Sequence, residues 1–315
     1  MSLVLTLSRD IPRQAEMLAN RVRKNFRRLR RPFEREGVGA FRLYDWDVPE
    51  IRAAVDWYEG HLVVAEYERS QTRAAAGWLE AMGEAAAAAL GVSAGHVHLK
   101  RRRTRPARGE RYGRQGHGGE RIAVRERGLR FWVNLTDYID TGLFPDHRET
   151  RARVRAEADG RDVLNLFGYT GSFTCAAAAG GARRTVTVDT SAPYLAWAGE
   201  NLALNGLAGP RHELVREDAR DFLARCGPRF TLCMLDPPSF STRAGAAPFD
   251  VQRDHRALVE AALAALEPGG VLYFSTNHQR FEPRLQGLRA EEITRETAPP
   301  DYRRTPHRCF RIVPA

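Results

Sequence analysis

The chain has 315 residues, 43% of them apolar and 28% charged, which is typical of a globular protein with room for two cored domains. It has no apolar run of about eighteen residues and no basic N-terminal segment followed by an apolar core, which excludes a membrane span and a secretory signal. The net charge is +10: residues 1–150 carry 27 Arg and Lys against 20 Asp and Glu, and residues 151–315 carry 22 against 19. This uneven basic charge predicts a partner rich in phosphate.

The first predicted element is a basic amphipathic helix over residues 13–36, which ends or kinks near Pro32. Eight cations lie between Arg21 and Arg35, and they favour phosphate contact, although a solvated charged face has the same pattern. Short strands are expected at residues 40–44 and 61–65, on either side of an acidic turn, and an alanine-rich helix at residues 73–90.

A strand at residues 97–100 leads into the arginine-rich segment 101–114, and residues 121–126 and 129–135 form a predicted hairpin. The arginine-rich segment is typical of a loop over a nucleic-acid groove, or of an exposed loop without a partner. The candidate RNA contacts of this basic α+β domain, residues 1–135, are Arg21, Lys24, Arg27, Arg28, Arg101, Arg102, Arg103 and Arg105.

Strands and helices alternate in the second predicted domain, residues 136–315. The expected strands are residues 162–167, 185–188, near 214, 230–235 and 271–275, with helices at 173–179, 191–205 and 251–266. Two last strands, at 292–294 and 308–313, have no helix between them and suggest an antiparallel closing hairpin. This order predicts an α/β, Rossmann-like fold with a seven-stranded, mostly parallel sheet.

A glycine-bearing turn connects the first of these strands to the first helix. Asn165 and Phe167 end the strand, and Tyr169, Thr170 and Gly171 form the turn before the helix. Such a loop lets the backbone approach a nucleotide next to a helix N-terminus, although alone it is equally consistent with a tight turn.

Three acids follow this loop, each at or just past a predicted strand end. Asp189 is placed to bind ribose hydroxyls and Asp218 to accept from an adenine amino group, while Asp236 is expected to contact both the cofactor and the reacting base. Alternatively, Asp189 is a helix N-cap and Asp218 a turn residue. Because strand carboxyl ends share one edge of a parallel sheet, we expect the three to converge on one ligand.

Asp236 opens the motif Asp-Pro-Pro-Ser-Phe, in which Pro237 and Pro238 form a rigid wall without N–H donors and Phe240 can stack on a flipped base. A dehydrogenase has no use for this wall, and its G-x-G-x-x-G motif is absent. The predicted catalytic residues are therefore Asp236, Pro237, Pro238 and Phe240.

Residues 165–173, Asp189 and residues 236–240 resemble the class I S-adenosylmethionine-dependent RNA methyltransferases. Residues 19–25, 132–138, 141–144, 146–148 and 249–255 resemble one branch more closely, the RlmK-like 23S rRNA guanine-N7 methyltransferases, which form the C-terminal half of the bifunctional RlmKL. The resemblance spans residue 12 to the C-terminus. It implies S-adenosylmethionine as cofactor, S-adenosylhomocysteine as product, and 23S rRNA or a large-subunit precursor as partner.

The resemblance also implies that residues 141–148 surround the methionine end of the cofactor. Thr141 and Phe144 belong to this segment, Asp146 is expected near the cofactor ammonium, and Arg148 near its carboxylate or an RNA phosphate. The segment 242–250 is a plausible substrate lid, and His147 and His255 are expected to be hydrogen-bonding scaffold.

The cysteines bear on the target base. Cys175, Cys226, Cys233 and Cys309 form no C-x-x-C pair and are expected to be reduced thiols in a metal-free, monomeric, cytoplasmic protein. Cytosine-C5 methylation needs a thiolate after the fifth strand or the Pro-Pro motif, and no cysteine stands there. Guanine N7 attacks directly and needs no base. The alternatives are another rRNA base, cytosine C5 or guanine N2, or an RNA-binding assembly factor without turnover.

Overall fold

Residues 2–67, 76–102, 118–241 and 248–314 are described by the structure, a computed structural model. Its contacts define two units. The first unit contains Met1–Gly128, Val133–Thr141 and Pro300–Arg304, and the second contains Leu129–Trp132, Gly142–Pro299 and Thr305–Ala315. The domain boundary at residue 135 stays a prediction.

Helix α1 (Ser2–Glu36) begins earlier than the sequence predicts and continues through Pro12 and Pro32. Leu29 and Phe33, on either side of Pro32, are buried in the core of the first unit together with Leu18 and Val22. This burial holds the last turn in place even though proline removes one backbone hydrogen bond.

Four strands form the sheet of the first unit, in the order β1 (Ala40–Asp45), β2 (Ala53–Tyr58), β3 (His61–Tyr67) and β4 (Val97–Arg102). Only the β3–β4 pair is parallel. Strand β2 was not predicted, because Asp56 interrupts its apolar pattern. The structure places Asp56 2.8 Å from the guanidinium of Arg42, and this ion pair allows a carboxylate inside the sheet.

Helix α2 (Trp78–Leu90) packs with α1 in the same core, where the Trp78 indole donates to Gln14 at 2.7 Å. Strands β5 (Arg121–Glu126) and β6 (Leu129–Asn134) follow and form the predicted hairpin.

The second unit contains the large sheet. Its strands are β7 (Asp162–Leu166), β8 (Arg184–Asp189), β9 (His212–Arg216), β10 (Phe230–Leu235), β13 (Leu266–Thr276), β14 (Arg289–Glu292) and β15 (Arg308–Val313), and a separate two-stranded pair consists of β11 (Phe240–Ser241) and β12 (Phe249–Asp250). Its helices are α3 (Arg148–Glu157), α4 (Ser172–Ala179), α5 (Ala192–Leu204), α6 (Ala219–Ala224), α7 (Val251–Ala264) and α8 (Thr294–Thr297).

The strand order β14-β15-β13-β10-β7-β8-β9 confirms the predicted seven-stranded, mostly parallel sheet. Strand β15 runs antiparallel to both neighbours, as the predicted closing hairpin requires. The expectation that no helix separates the last two strands was wrong, because α8 is a single turn and too short to produce a periodic pattern. Within the described residues, no helix has both the length and the apolar character needed to cross a bilayer.

Candidate active site

The loop between β7 and α4 has an unusual backbone. Phe167, Tyr169 and Gly171 have φ angles of 56°, 49° and 75°, in the left-handed region. Glycine adopts this region readily, whereas for bulky aromatic residues it is strained. Strain of this kind concentrates at ligand sites, where the surrounding structure enforces it. A Cβ atom on Gly171 would also lie 2.7 Å from Ala198 of α5, so glycine is required there for two reasons.

Side-chain hydrogen bonds hold this loop in place. The hydroxyl of Thr170 donates to the carbonyl of Gly142 at 2.5 Å, and the amide of Asn201 donates to the carbonyl of Thr170 at 2.9 Å. Gly142 in turn lies against the ring of Trp197, whose indole donates to the carbonyl of Trp132 at 3.0 Å. The loop and the segment after Gly142 are therefore fixed to each other.

Gly142→Ala is expected to destabilise the protein by roughly 2–4 kcal/mol, the sum of a strained φ and an overpacked contact. Gly142 has a φ of 95°, and a Cβ atom there would lie 2.3 Å from Trp197. Urea unfolding measures the loss. Gly209→Ala is the control, because a Cβ on Gly209 meets no atom within 4 Å; equal losses in the two variants would contradict the prediction.

Asp189 lies at the carboxyl end of β8, beside this loop. Its two carboxylate oxygens accept from the backbone N–H groups of Tyr169 and Ser191, at 2.9 and 2.8 Å. Burial raises the pKa of this carboxyl, while these hydrogen bonds oppose the rise. Since each carboxylate oxygen has a second lone pair, Asp189 can also accept from two vicinal hydroxyls, and the position fits an adenosine ribose.

Aromatic rings lie around the same loop. The ring centroids of Tyr169 and Phe144 are 5.3 Å apart, and those of Tyr169 and Tyr194 are 4.5 Å apart, edge to face. Phe167 packs at 6.1 Å from Phe249. The structure thus brings together Phe144, Phe167, Tyr169, Thr170 and Gly171, which the sequence proposed as cofactor contacts.

Other predicted cofactor residues have structural partners. Asn165 is buried, and its amide donates to Thr174 of α4 at 2.9 Å. Asp218 caps α6 by accepting from the N–H of Arg220 at 2.9 Å, and it also pairs with the Arg220 guanidinium at 3.1 Å. Thr141 belongs to the first unit, where its hydroxyl lies 3.1 Å from that of Tyr58. Their roles as cofactor ligands stay predictions.

Arg148 is fully buried, with its Nε 3.5 Å from a carboxylate oxygen of Glu149. A contact with an RNA phosphate needs an accessible guanidinium. The sequence left two partners open for Arg148, the cofactor carboxylate and an RNA phosphate. The burial of its side chain favours the cofactor carboxylate.

Asp236 lies just past β10, where its Oδ1 accepts from the hydroxyl of Ser275 at 2.5 Å. Its Oδ2 is 3.4 Å from Nε2 of His147. Burial, with the neighbouring His307, lowers the pKa of His147 to about 4, so the imidazole is neutral near pH 7 and the contact is not an ion pair. Asp236 has no arginine or lysine ion-pair partner in the described part of the chain, so no direct ion pair offsets its negative charge.

His147 stacks on His307, with centroids 4.1 Å apart and planes at 19°. Asp146 lies 3.5 Å from Nδ1 of His307, and the potential ligand atoms of Asp146, His147 and His307 all fall within 4.8 Å of one another. Lone pairs of nearly parallel rings do not converge on one point, as a tetrahedral metal site requires. The geometry is that of a histidine stack, and the absence of a metal stays a prediction.

Pro237 is buried and Pro238 half-buried, and the wall that they form ends at Phe240. Phe240 is 42% exposed, and Leu99 is the other exposed large hydrophobic residue in the described ranges. An exposed phenylalanine after such a wall is free to stack on a base. Most of the predicted lid, residues 242–247, lies outside the described residues.

The predicted RNA contacts differ in their surroundings within the first unit. Lys24, Arg27 and Arg28 are exposed on α1, whereas Arg21 lies 3.3 Å from Asp47. Arg101 pairs with Glu80 at 2.7 Å, and Arg102 with Asp140 at 3.2 Å. Arg103 and Arg105 lie outside the described residues.

Sequence reasoning missed three residues near Asp236: Ser275, His307 and Cys309. Cys309 of β15 is paired with Ser275 on the adjacent antiparallel strand β13. Burial raises the pKa of the Cys309 thiol to about 12, and the Asp236 carboxylate adds to the rise. The missed signal was the pairing of the last strand with β13, which brings residues far apart in sequence to one point.

A family model described as S-adenosylmethionine-dependent methyltransferase matches residues 41–303. The Ribosomal RNA large subunit methyltransferase K/L of Alcanivorax borkumensis is 43% identical over 314 residues, which cover 96% of this chain and 44% of that protein. The protein of the same name from Chromohalobacter salexigens is 45% identical over 317 residues, covering 97% and 43%. The chain thus spans less than half the length of these relatives.

Among solved structures, the SAM-dependent methyltransferase from Agrobacterium tumefaciens superposes with a TM-score of 0.64 at 19% identity, covering 89% of this chain and 92% of that one. This likeness supports the fold. The family match fits the geometry of the second unit, where a strained loop and a fixed acid at the next strand end suit a nucleoside cofactor. The chain belongs to the family of S-adenosylmethionine-dependent methyltransferases.

Proposed function

We propose that the chain transfers the methyl group of S-adenosylmethionine to N7 of a guanine in 23S rRNA, without a covalent intermediate. The relatives named for the large-subunit ribosomal RNA are more than 40% identical over nearly the whole chain, which supports the RNA class. The choice of N7 rests on the resemblance to the RlmK-like branch and on the chemistry around Asp236.

The observation that carries this proposal is a carboxylate without a cationic ion-pair partner among the described residues, at the end of β10. Bound S-adenosylmethionine supplies a methyl group on a sulfonium. Guanine N7 has an available lone pair, so the site has to align the two centres and exclude water. As N7 bonds to the methyl group, the sulfur–methyl bond would break, leaving S-adenosylhomocysteine and a cationic purine ring. The Asp236 carboxylate would stabilise that developing charge. Pro237 and Pro238 fix the position of the carboxylate, and Phe240 stacks on the base.

Covalent chemistry at cytosine C5 is disfavoured by the thiols near the site. Cys233 and Cys309 are both fully buried, and burial raises the pKa of each thiol. A thiol with a raised pKa supplies little thiolate at neutral pH. Neither Cys233 nor Cys309 therefore suits the role of nucleophile in a cytosine-C5 enzyme, which is the second candidate function.

The base assignment is tested by reduction and aniline cleavage of 23S rRNA, which cuts at N7-methylguanine. Treated rRNA is expected to gain one cut that depends on both enzyme and S-adenosylmethionine. Methyl transfer without a new cut would point to another base, such as cytosine C5 or guanine N2. Calorimetry with S-adenosylmethionine separates an enzyme from an assembly factor, since a factor without turnover would show no binding.

The exposed cations of α1 are proposed to hold the RNA backbone, as part of a basic RNA-binding domain. Replacing Lys24, Arg27 and Arg28 together by glutamine is expected to lower the salt dependence of RNA binding, with the slope of log K against log salt reduced by about 2. Filter binding at several salt concentrations measures it.

A matched control removes the same number of charges elsewhere. Arg183, Arg225 and Arg253 are exposed and paired with Asp162, Glu217 and Asp254. Their triple glutamine variant has the same net charge as the α1 variant. An equal fall in slope in both variants would show that net charge alone, and not the α1 face, determines binding.

A further inference from the structure

A cavity of about 710 Å³ opens in the second unit, beyond the Asp-Pro-Pro-Ser-Phe motif. Its walls come from the end of β13, from α8 and from the start of β15; the lining includes Thr276, Asn277, Arg295, Glu296 and His307. The volume falls within the roughly 300–1,000 Å³ of pockets that enclose small molecules. Neither Asp189 nor any residue of the loop between β7 and α4 is among the residues that line it.

The cavity wall is linked directly to Asp236. Thr276 follows Ser275, whose hydroxyl donates to the Asp236 carboxylate. The hydroxyl of Ser239 donates to the side-chain oxygen of Asn277 at 2.7 Å. His307 stacks on His147, which lies 3.4 Å from Asp236. One aromatic ring therefore separates the cavity wall from the carboxylate next to the proposed reaction centre.

Of the four Arg and Glu side chains on the cavity wall, two form an ion pair with each other and two can contact a ligand. Glu292 and Arg308 form an ion pair at 2.6 Å, so these two neutralise each other. Arg295 and Glu296, on α8, are exposed and have no ion-pair partner among the residues that the structure describes. The cavity thus offers one carboxylate and one guanidinium to a ligand.

We propose that this cavity receives the Watson–Crick edge of the target guanine, with Glu296 accepting from N1–H and the N2 amino group and Arg295 meeting a flanking phosphate. The inference rests on the proposed function and adds the residue that selects the base. In guanine, N7 lies on the side of the purine opposite N1 and N2. A base held by Glu296 in the cavity therefore turns N7 away from Glu296 and leaves it available to the methyl group.

This arrangement discriminates between purines. A carboxylate accepts two hydrogen bonds from guanine, whereas adenine presents an acceptor at N1 and has no amino group at C2. Two such hydrogen bonds are worth roughly a 10- to 100-fold preference. His307 and Asn277, which also line the cavity, are held by His147 and Ser239 through contacts that do not involve the base.

The test uses GMP and AMP as probes, titrated by calorimetry or NMR into the full chain saturated with S-adenosylhomocysteine. The wild-type protein is expected to bind GMP about 10- to 100-fold more tightly than AMP, and Glu296→Gln to lose this preference while its affinity for S-adenosylhomocysteine is unchanged. Glu296→Ala is the second variant. Glu213→Gln, an exposed glutamate of β9, is the matched control and should keep the preference.

Wild-type protein without saturable GMP binding at millimolar concentrations, or a Glu296→Gln variant that still prefers GMP, would overturn the inference. The aniline assay is independent of both results. A wild-type protein that selects GMP yet produces no cut at guanine would disprove N7 methylation and leave the guanine cavity standing. A cut at guanine, together with unchanged selectivity in Glu296→Gln, would support N7 methylation and disprove the role of Glu296 in the cavity.

Discussion

Asp236→Asn is expected to lower kcat for methyl transfer by about 100- to 1,000-fold, the usual effect of removing one preorganised charge-stabilising group. Asparagine has the same shape and can still accept from Ser275, but it carries no charge to stabilise a cationic purine. Since no arginine or lysine forms an ion pair with Asp236 within the described residues, no direct ion pair offsets its charge. Single-turnover transfer of a labelled methyl group measures the change.

Cofactor binding provides the contrast for this variant. The Kd for S-adenosylmethionine should change less than about threefold, because the proposed role is in the transition state. Asp221→Asn, on the exposed face of α6, is the matched control and should turn over normally. A normal rate for Asp236→Asn would show that this carboxylate takes no part in the reaction.

Asp189→Ala should raise the Kd for S-adenosylmethionine by at least about 100-fold, because two hydrogen bonds to a charged acceptor are lost together. The variant also removes the acceptors of the Tyr169 and Ser191 N–H groups, so the strained loop loses one of its restraints. Calorimetry with S-adenosylmethionine and S-adenosylhomocysteine measures the affinity, and urea unfolding measures the accompanying loss of stability.

Ser191→Ala distinguishes cofactor binding from local stability. Ser191 caps α5 by accepting from the N–H of Tyr194 at 3.4 Å, and its loss should cost about 0.5–2 kcal/mol of stability. It leaves the Asp189 carboxylate in place, so the affinity for the cofactor should be nearly unchanged. If Ser191→Ala weakened cofactor binding as much as Asp189→Ala, the ribose contact would not explain the result.

The sequence was sufficient to predict the large sheet because its signals are local. Apolar strands, a glycine turn and acids at strand ends are each visible within ten residues, and the order of these elements gives a parallel sheet. Positions fixed by long-range contacts were not predictable. Strand β2 depends on the pairing of Asp56 with Arg42, and α1 continues past Pro32 because its neighbours are buried.

The residues around Asp236 are also fixed by long-range contacts, which the sequence could not predict. The sequence predicted its place at a strand end, but not the hydroxyl of Ser275 beside it or the stacked ring of His307 behind His147. His307 and Cys309 reach this point only because β15 pairs with β13 in a particular register. Neither local propensity nor motif spacing contains that register.

The short segment Leu129–Trp132 has a practical consequence for dividing the protein into fragments. It belongs to the second unit, although Val133–Thr141 of the first unit separates it in sequence from the rest. Its Trp132 carbonyl accepts from the indole of Trp197, and its Trp132 N–H donates to the side-chain oxygen of Asn201 at 2.8 Å. A fragment starting at residue 136 would leave both side chains of α5 without these partners, next to the loop that Asn201 supports. An isolated catalytic fragment should therefore begin no later than Leu129.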